Sequence, residues 1–383
     1  MDDLLTSRVI GYDAKRAVAN FTGLGNYSRF IISSMAERLP DSRLRLYIPK
    51  LRDNADYARL LEYGNVSSHL PAGHYPGILR SWWRTYGMAA DLRRDGVELF
   101  HGLSNELPTG LNSAGIRSVV TIHDLIFLRY PEYYGAIDRR IYDKKFKSAC
   151  RNATRVVAVS ECTKRDIVQF YDIDPDKIDV VYQGCSEVFA REVPDSESER
   201  VRRAYRLPER FMLNVGSIES RKNLLLAVKA LSQVDASVHL VAVGRHTAYT
   251  DEVVRYAEDH GLSSRLHVLH RVNGIDLPVL YRLASLFVYP SYFEGFGIPI
   301  IEALNAGVPV IGATGSCLEE AGGPDSLYVD PDDATAMAEA MNRVLSDEQL
   351  RESMITRGRA YVRRFDRASL AEDLLHVYRR CLE

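Results

Sequence analysis

Cysteine is scarce in this chain. Five thiols in 383 residues, at positions 150, 162, 185, 317 and 381, form no C-x-x-C pair. So sparse and odd a set argues against a disulfide framework or a cysteine zinc site, and predicts reduced thiols. Long apolar runs are missing as well, none approaching the roughly 18 residues that a membrane-spanning helix needs. An excess of one charge is missing: a formal net charge of −2 argues against a generic polyanion binder, and no nucleic-acid partner is expected. There is no short-period repeat and no low-complexity segment. The opening Met1-Asp-Asp-Leu-Leu-Thr-Ser-Arg8 has no basic stretch leading into an apolar one, so a cytoplasmic chain is expected, at most peripheral on the inner face of the cell membrane.

What is present is ordinary globular composition, 26% charged and 46% hydrophobic, in a length that fits two domains with full cores. Residues 1–185 hold 26 Lys and Arg against 22 Asp and Glu, and residues 186–383 hold 23 against 29. The mildly basic first half suits an anionic membrane surface or an anionic acceptor.

Short apolar runs alternate with longer helical patterns throughout. Strands are expected at 8–13, 44–48, 99–102, 118–123, 156–160 and 180–183, then at 211–215, 238–244, 266–269, 286–289, 309–312 and 327–329. Val119-Val-Thr-Ile122 and Val238-His-Leu-Val-Ala-Val243 are too apolar for a sheet with one wet face, and predict parallel strands covered by helices on both sides. Residues 191–206 are charged and serine-rich and read as a linker leading into a helix. The expected class is α/β, with two doubly wound domains whose strand ends face a common cleft.

Two segments carry chemistry. Glu294-Gly-Phe-Gly-Ile-Pro-Ile-Ile-Glu302 places carboxylates eight residues apart around Gly295, Gly297 and Pro299. Proline fits a first helical turn, which puts Glu294 in a loop and Glu302 one turn into a helix. The glycines allow close backbone approach, and a helix N-terminus suits a diphosphate. Glu302 is then placed to accept from a ribose diol. The second segment, Phe211-Met-Leu-Asn-Val-Gly216-Ser217-Ile-Glu-Ser-Arg221-Lys222-Asn223, reads as strand, loop and helix, with Asn223 as N-cap. Arg221 suits phosphate oxygens as a fork and Lys222 as a point charge.

Together these two segments resemble the retaining nucleotide-sugar glycosyltransferases of family 4, whose fold is GT-B. The resemblance extends to Thr22-Gly23-Leu-Gly25-Asn-Tyr-Ser-Arg29, to Thr121-Ile-His123-Asp124, and to Ser160-Glu-Cys-Thr163-Lys164-Arg-Asp166. It implies an acceptor-side domain at 1–190, a donor domain at 205–364 and a last helix, 365–383, that returns to the first domain. It implies a hexose, with mannose from GDP-mannose as the guess, moved to an oligosaccharide or polyprenyl-linked acceptor in polysaccharide synthesis. His123, Arg221, Lys222 and Glu294 are the implied catalytic set. His123 lies by resemblance near the donor sugar, with a positioning role and not a nucleophilic one. The implied donor-binding set is Gly23, Gly25, Gly216, Ser217, Arg221, Lys222, Val243, Val272, Gly295, Phe296, Gly297 and Glu302. No cofactor and no metal is expected, Arg221 and Lys222 standing in for Mg²⁺. The family usually has Phe-x-Trp where this chain has Phe365-Asp-Arg367, which puts that tryptophan's docking contact in doubt.

Two further features remain. Tyr75-Pro-Gly-Ile-Leu-Arg-Ser-Trp-Trp-Arg-Thr-Tyr86 concentrates both tryptophans with Arg80 and Arg84, and suits an acceptor or a membrane interface. His267 and His270 lie three apart on an expected strand, so they face opposite ways and read as structural. Two alternatives stand beside transfer: a glycoside phosphorylase or sugar-nucleotide epimerase of the same fold, and a two-domain sugar-binding protein without catalysis.

Overall fold

The computed structural model describes residues 4–20, 23–73, 75–77 and 79–383. The chain forms two compact units, Met1–Gln183 with Arg367–Glu383, and Gly184–Asp366.

The first unit holds seven strands: β1 (Val9–Asp13), β2 (Arg43–Tyr47), β3 (Val66–His69), β4 (Leu99–Gly102), β5 (Arg117–Ile122), β6 (Arg155–Ala158) and β7 (Ile178–Val180). All pair in parallel, in the order β3-β2-β1-β4-β5-β6-β7. The second holds β8 (Phe211–Val215), β9 (His239–Val243), β10 (Leu266–Leu269), β11 (Leu286–Tyr289), β12 (Val310–Ala313) and β13 (Leu327–Val329). They too are parallel, in the order β10-β9-β8-β11-β12-β13. In β4, β11 and β12 every residue is buried, as expected of strands covered on both faces.

Each sheet reverses its winding once, between β1 and β4 in the first unit and between β8 and β11 in the second. Loops leaving two strands on either side of such a reversal diverge to opposite faces and open a crevice at the strands' carboxyl ends. Two strand expectations need correction. The edge strand β3, Val-Ser-Ser-His, was not expected because its composition is too polar. The strand expected at 180–183 is β7, which ends at Val180.

Residues 184–190 belong with the second unit, where Phe189 meets Tyr281 edge-on at 5.3 Å. The charged stretch after them forms helix Asp195–Tyr205, which is tied down by Arg200 and Tyr205 on Asp276. The last helix, Arg367–Leu382, packs on helix Gly23–Arg38 and on β5 and β6. Tyr378 is its anchor, bonded to His101 Nδ1 at 2.7 Å and to the Tyr12 hydroxyl at 3.2 Å. Docking therefore proceeds without the tryptophan. Phe365 instead lies edge-on to Phe296 within the second unit. All five cysteines are free thiols.

Candidate functional site

In the second unit the polar residues gather at the β8/β11 reversal. The chain leaves β8 through Gly216 (φ 155°), and a Cβ there would stand 3.2 Å from the Lys222 side chain. Gly216 thus gives the lysine its path. The turn Ser220–Lys222 is a single 3-10 turn, and Asn223 ends it in the left-handed region (φ 54°, ψ 37°). Asn223 occupies the N-cap position expected from sequence but its side chain does not cap: its amide donates to the Pro331 carbonyl at 2.7 Å, and helix Leu224–Leu231 starts without a side-chain cap. The expected Arg221 and Lys222 are held by the loop after β11. Lys222 donates to Glu294 Oε1 at 2.8 Å and to the Tyr289 hydroxyl at 2.6 Å, and Arg221 pairs with Glu294 Oε2 at 3.0 Å. Arg221 also donates to the Phe293 carbonyl, while the Tyr292 amide donates back to the Arg221 carbonyl at 2.9 Å.

These contacts set the electrostatics. Burial pushes the Glu294 carboxyl up, but the charges of Lys222 and Arg221 and their hydrogen bonds outweigh it and hold it at about 2. Burial pulls Lys222 down, and Glu294 more than reverses this, so its ammonium is held above the ordinary lysine range. Burial, with Glu294 adding to it, lifts the Tyr289 phenol to about 12. Two cations and one carboxylate leave one net positive charge at neutral pH.

Glu302 is in a different environment. On helix Ile298–Ala306 its Oε2 accepts from the Tyr281 hydroxyl at 2.8 Å, and burial raises its pKa to about 7 against the opposing pull of that bond. The two carboxylates of the segment therefore differ in protonation: Glu294 is ionised at neutral pH, and Glu302 titrates near neutrality.

The remaining donor-side residues divide. Gly297 (φ 128°) caps helix Ile298–Ala306, and a Cβ there would press on Ala321 at 3.1 Å. Gly295 and Ser217 are half-buried at their turns. The Phe296 ring is buried against Phe365, and its carbonyl accepts from the Cys317 thiol. Val243 is a buried strand-end residue whose carbonyl takes the Gly216 N–H at 3.0 Å, so its side chain too is structural. Val272 is half-buried in the loop after β10.

Four residues that sequence reasoning missed hold this arrangement. Tyr289 and Cys317 brace the Glu294 loop, the thiol donating to the Glu294 carbonyl at 3.0 Å. Tyr281 sets Glu302. Gly244 lets the end of β9 reach the Gly216 carbonyl, where a Cβ would come to 2.0 Å. A glycine directly after an apolar strand was the one sequence signal among them.

In the first unit, His123 follows β5 and is buried. Its Nε2 lies 2.9 Å from the Leu103 carbonyl, which can only accept, so Nε2 carries the proton. Its Nδ1 then accepts from the Gln183 amide at 2.9 Å. Asn105, at φ 62°, takes the His123 backbone N–H at 2.7 Å. Tyr27 meets the ring edge-on at 4.7 Å and bonds Thr121 at 3.0 Å. Burial lowers the imidazole to about 4, against the help of the Leu103 bond, so it is neutral at physiological pH.

Gly23 and Gly25 lie in the first turn of helix Gly23–Arg38 and not in a loop; Thr22 lies outside the described residues. Gly25 is a steric requirement, since a Cβ would come to 1.9 Å from the Asn20 carbonyl. The Ser160 motif is structural: Ser160 caps helix Glu161–Tyr171, Lys164 donates to the Ile178 carbonyl at 2.9 Å, and Asp166 pairs with Arg129. The two tryptophans separate. Trp83 is fully buried, with its indole N–H on Asp91 at 2.8 Å, while Trp82 is half-exposed.

Among the described residues there is no group of three or more His, Cys, Asp or Glu able to hold a metal ion. His267 bonds His239 at 2.9 Å and His270 bonds the Gly244 carbonyl at 3.1 Å, so the two diverge. The metal-free expectation had overlooked Asp-x-Asp triplets that the sequence contains, at 172–174, 174–176 and 330–332. They serve turns: Asp174 accepts the Asp176 amide and Asp330 the Asp332 amide, each at 2.9 Å.

Known proteins were compared with this chain. Residues 195–361 match the model of glycosyl transferases group 1, and residues 31–189 match that of glycosyltransferase family 4. The chain is 27% identical over 373 residues to O-antigen chain mannosyltransferase B of Escherichia coli, spanning 94% of this chain and 96% of the other. It is 30% identical over 258 residues to the serotype-specific mannosyltransferase WbdA of E. coli, covering 65% of this chain but only 31% of that longer protein. The sucrose-phosphate synthase of Thermosynechococcus elongatus superposes with a TM-score of 0.77 at 20% identity, over 97% of this chain and 98% of that one.

Proposed function

Because the chain belongs to the family 4 glycosyltransferases, hexosyltransferases of GT-B fold, we propose that it transfers mannose, with retention, from GDP-mannose to a carbohydrate acceptor in cell-surface polysaccharide synthesis. The mannosyltransferases that it resembles, one of them named for O-antigen chains, support the sugar and the setting. The acceptor chain is carried on a polyprenyl lipid. Membership in a transferase family sets aside the non-catalytic sugar-binding alternative.

The observation that carries the reading is the Arg221–Lys222 pair, fixed by one carboxylate and one phenol at the β8/β11 reversal. Positive charge held in place before the reaction stabilises the diphosphate that leaves, without reorganisation at the moment of bond breaking. Glu294 is the fixed counter-charge that aims both cations. Glu302, when ionised, accepts the ribose hydroxyls. The bond from the anomeric carbon to the diphosphate breaks, the acceptor oxygen bonds to the same face of the sugar, and the leaving diphosphate takes the acceptor's proton. His123 is a positioning residue for the sugar, its neutral ring fixed by Leu103 and Gln183. Arg221 and Lys222 take the role that a metal plays in other sugar transferases.

Incubation with a panel of nucleotide sugars and an acceptor tests this. GDP release from GDP-mannose, exceeding that from UDP and ADP sugars, is expected, and NMR of the new linkage should show the α configuration kept. Preference for another donor would overturn the mannose assignment, and a β linkage would overturn retention.

A further inference from the structure

Helix Ala136–Asn152 covers the core of the first unit with Phe146, Ala149 and Cys150. That stripe is sufficient to seat it, yet the opposite face exposes Ile137 (76%) and Ile141 (45%), one turn apart. Arg140, Lys144, Lys145 and Arg151 are exposed with them, against one exposed acid on this helix, Asp138. A second apolar feature lies in the aromatic segment. Trp82 (50%) and Tyr86 (59%) are exposed, their rings 5.9 Å apart, and Tyr75 stacks on Trp82 at 6.1 Å and 22°. Two side chains between Trp82 and Tyr86 are anchored inward, Trp83 on Asp91 and Arg84 in a buried pair with Asp13. Glu106 joins the two features, accepting from Arg84 on one side and pairing with Lys145 at 3.4 Å on the other.

We propose that these two elements form one docking face for an anionic lipid bilayer. Trp82 and Tyr86 suit the depth of the headgroups, Ile137 and Ile141 the acyl boundary beneath, and the lysines and arginines the lipid phosphates. Charge complementarity selects this occupant over a free glycan. Stacked aromatics alone suit a pyranose, but recognition of a pyranose has no use for two bare isoleucines among four cations. The inference stands apart from the donor and the chemistry of transfer, since none of these side chains belongs to the catalytic or donor-binding sets.

The chain has two tryptophans and Trp83 is fully buried, so Trp82 is an intrinsic reporter. The full-length protein is mixed with phosphatidylcholine vesicles, with and without about a third phosphatidylglycerol. Expected are co-sedimentation and a blue shift of tryptophan emission with the anionic vesicles only, and quenching by brominated acyl chains. Ile137→Ser with Ile141→Ser, and separately Arg140→Glu with Lys144→Glu, should each weaken partition by about tenfold or more at unchanged melting temperature. No co-sedimentation and no shift in the wild-type protein would overturn the proposal without recourse to any variant. A blue shift on adding a soluble mannose oligosaccharide, with none on adding vesicles, would overturn it also and assign the aromatics to carbohydrate.

Discussion

The Arg221, Lys222 and Glu294 group of the second unit is charged and internally paired, whereas the group around His123 in the first is neutral and paired with backbone and amide groups. Lys222, Arg221 and Glu294 neutralise each other down to one net positive charge. His123, Gln183, Asn105 and Tyr27 carry no charge at pH 7, and the imidazole is kept neutral by burial. Both groups lie where their sheets reverse direction or just beside it, so topology provides the place and side-chain chemistry the difference. An ion cluster is tuned to a polyanionic leaving group, and it is lost when any member is lost. A neutral clamp holds a shape and carries no charge above about pH 4, where its imidazole is deprotonated.

Removing the shared counter-ion should do the most damage. Glu294→Ala leaves two half-buried cations facing each other, and should cost roughly 3–5 kcal/mol of stability as well as most activity. Denaturant unfolding followed with and without the substitution measures it; a loss below 1 kcal/mol would show that the cations do not depend on Glu294. Next is Lys222→Ala, expected to lower turnover about 10²–10³-fold through loss of one charge-stabilising donor. Single-turnover rates at saturating donor and acceptor decide this, and a change under threefold would remove Lys222 from the leaving-group role.

Glu302 sharpens the contrast within the second unit. Its folded pKa, about 7, lies above the 4.5 of an ordinary glutamate, so the folded protein holds a proton that the unfolded chain releases. The penalty for its charge is complete above pH 7, shrinks as pH falls, and vanishes below about 4.5. Glu302→Gln should therefore stabilise the protein at pH 8 by roughly 3–3.5 kcal/mol, at about 1.4 kcal/mol per pH unit, and by nothing at pH 4. Calorimetry with nucleoside diphosphate should show affinity falling below pH 7 in the wild-type protein, and no such step in Glu302→Gln. The same profile tests the first unit: an inflection near 7 should survive His123→Asn, because an imidazole at about 4 does not titrate there. Loss of the inflection in the histidine variant would reverse the comparison. The smallest effect is expected from EDTA, with more than half of the activity retained; complete loss restored by Mn²⁺ or Mg²⁺ would show that the cation pair does not act alone.

Local chemistry explains which parts of this were legible. Arg221 with Lys222, and Glu294 with Pro299, could be read because in each of the two segments strand, turn and helix punctuation lies within a few residues of them. Glycine positions were legible as requirements but not as roles. Gly25 stands in the motif by resemblance, but its close approach to the Asn20 backbone shows only in the fold, as does that of Gly244 to Gly216. The side chains of Val243 and Phe296 are buried in the core, the first by its place on a strand and the second by the course of its loop. Asn223 has the residue type of an N-cap, but the Pro331 carbonyl competes for its amide, and that carbonyl arrives from 108 residues away.

The sequence by itself determined the architecture and the catalytic vocabulary: apolar runs too continuous for a one-sided sheet, a βα pattern that restarts after the linker, and an Arg-Lys pair and a glutamate in loops after strands with a second glutamate one turn into a helix. These are short-range properties, set by periodicity, by glycine and proline, and by charge. Tertiary structure alone decided which of the two glutamates stays ionised, because that depends on Lys222 and Arg221 reaching one and Tyr281 reaching the other. It alone fixed the proton of His123 on Nε2, through a carbonyl 20 residues back and an amide 60 residues on. And it alone separated two adjacent tryptophans, one into the core and one to the surface, since burial is a property of what packs against a side chain and not of the side chain.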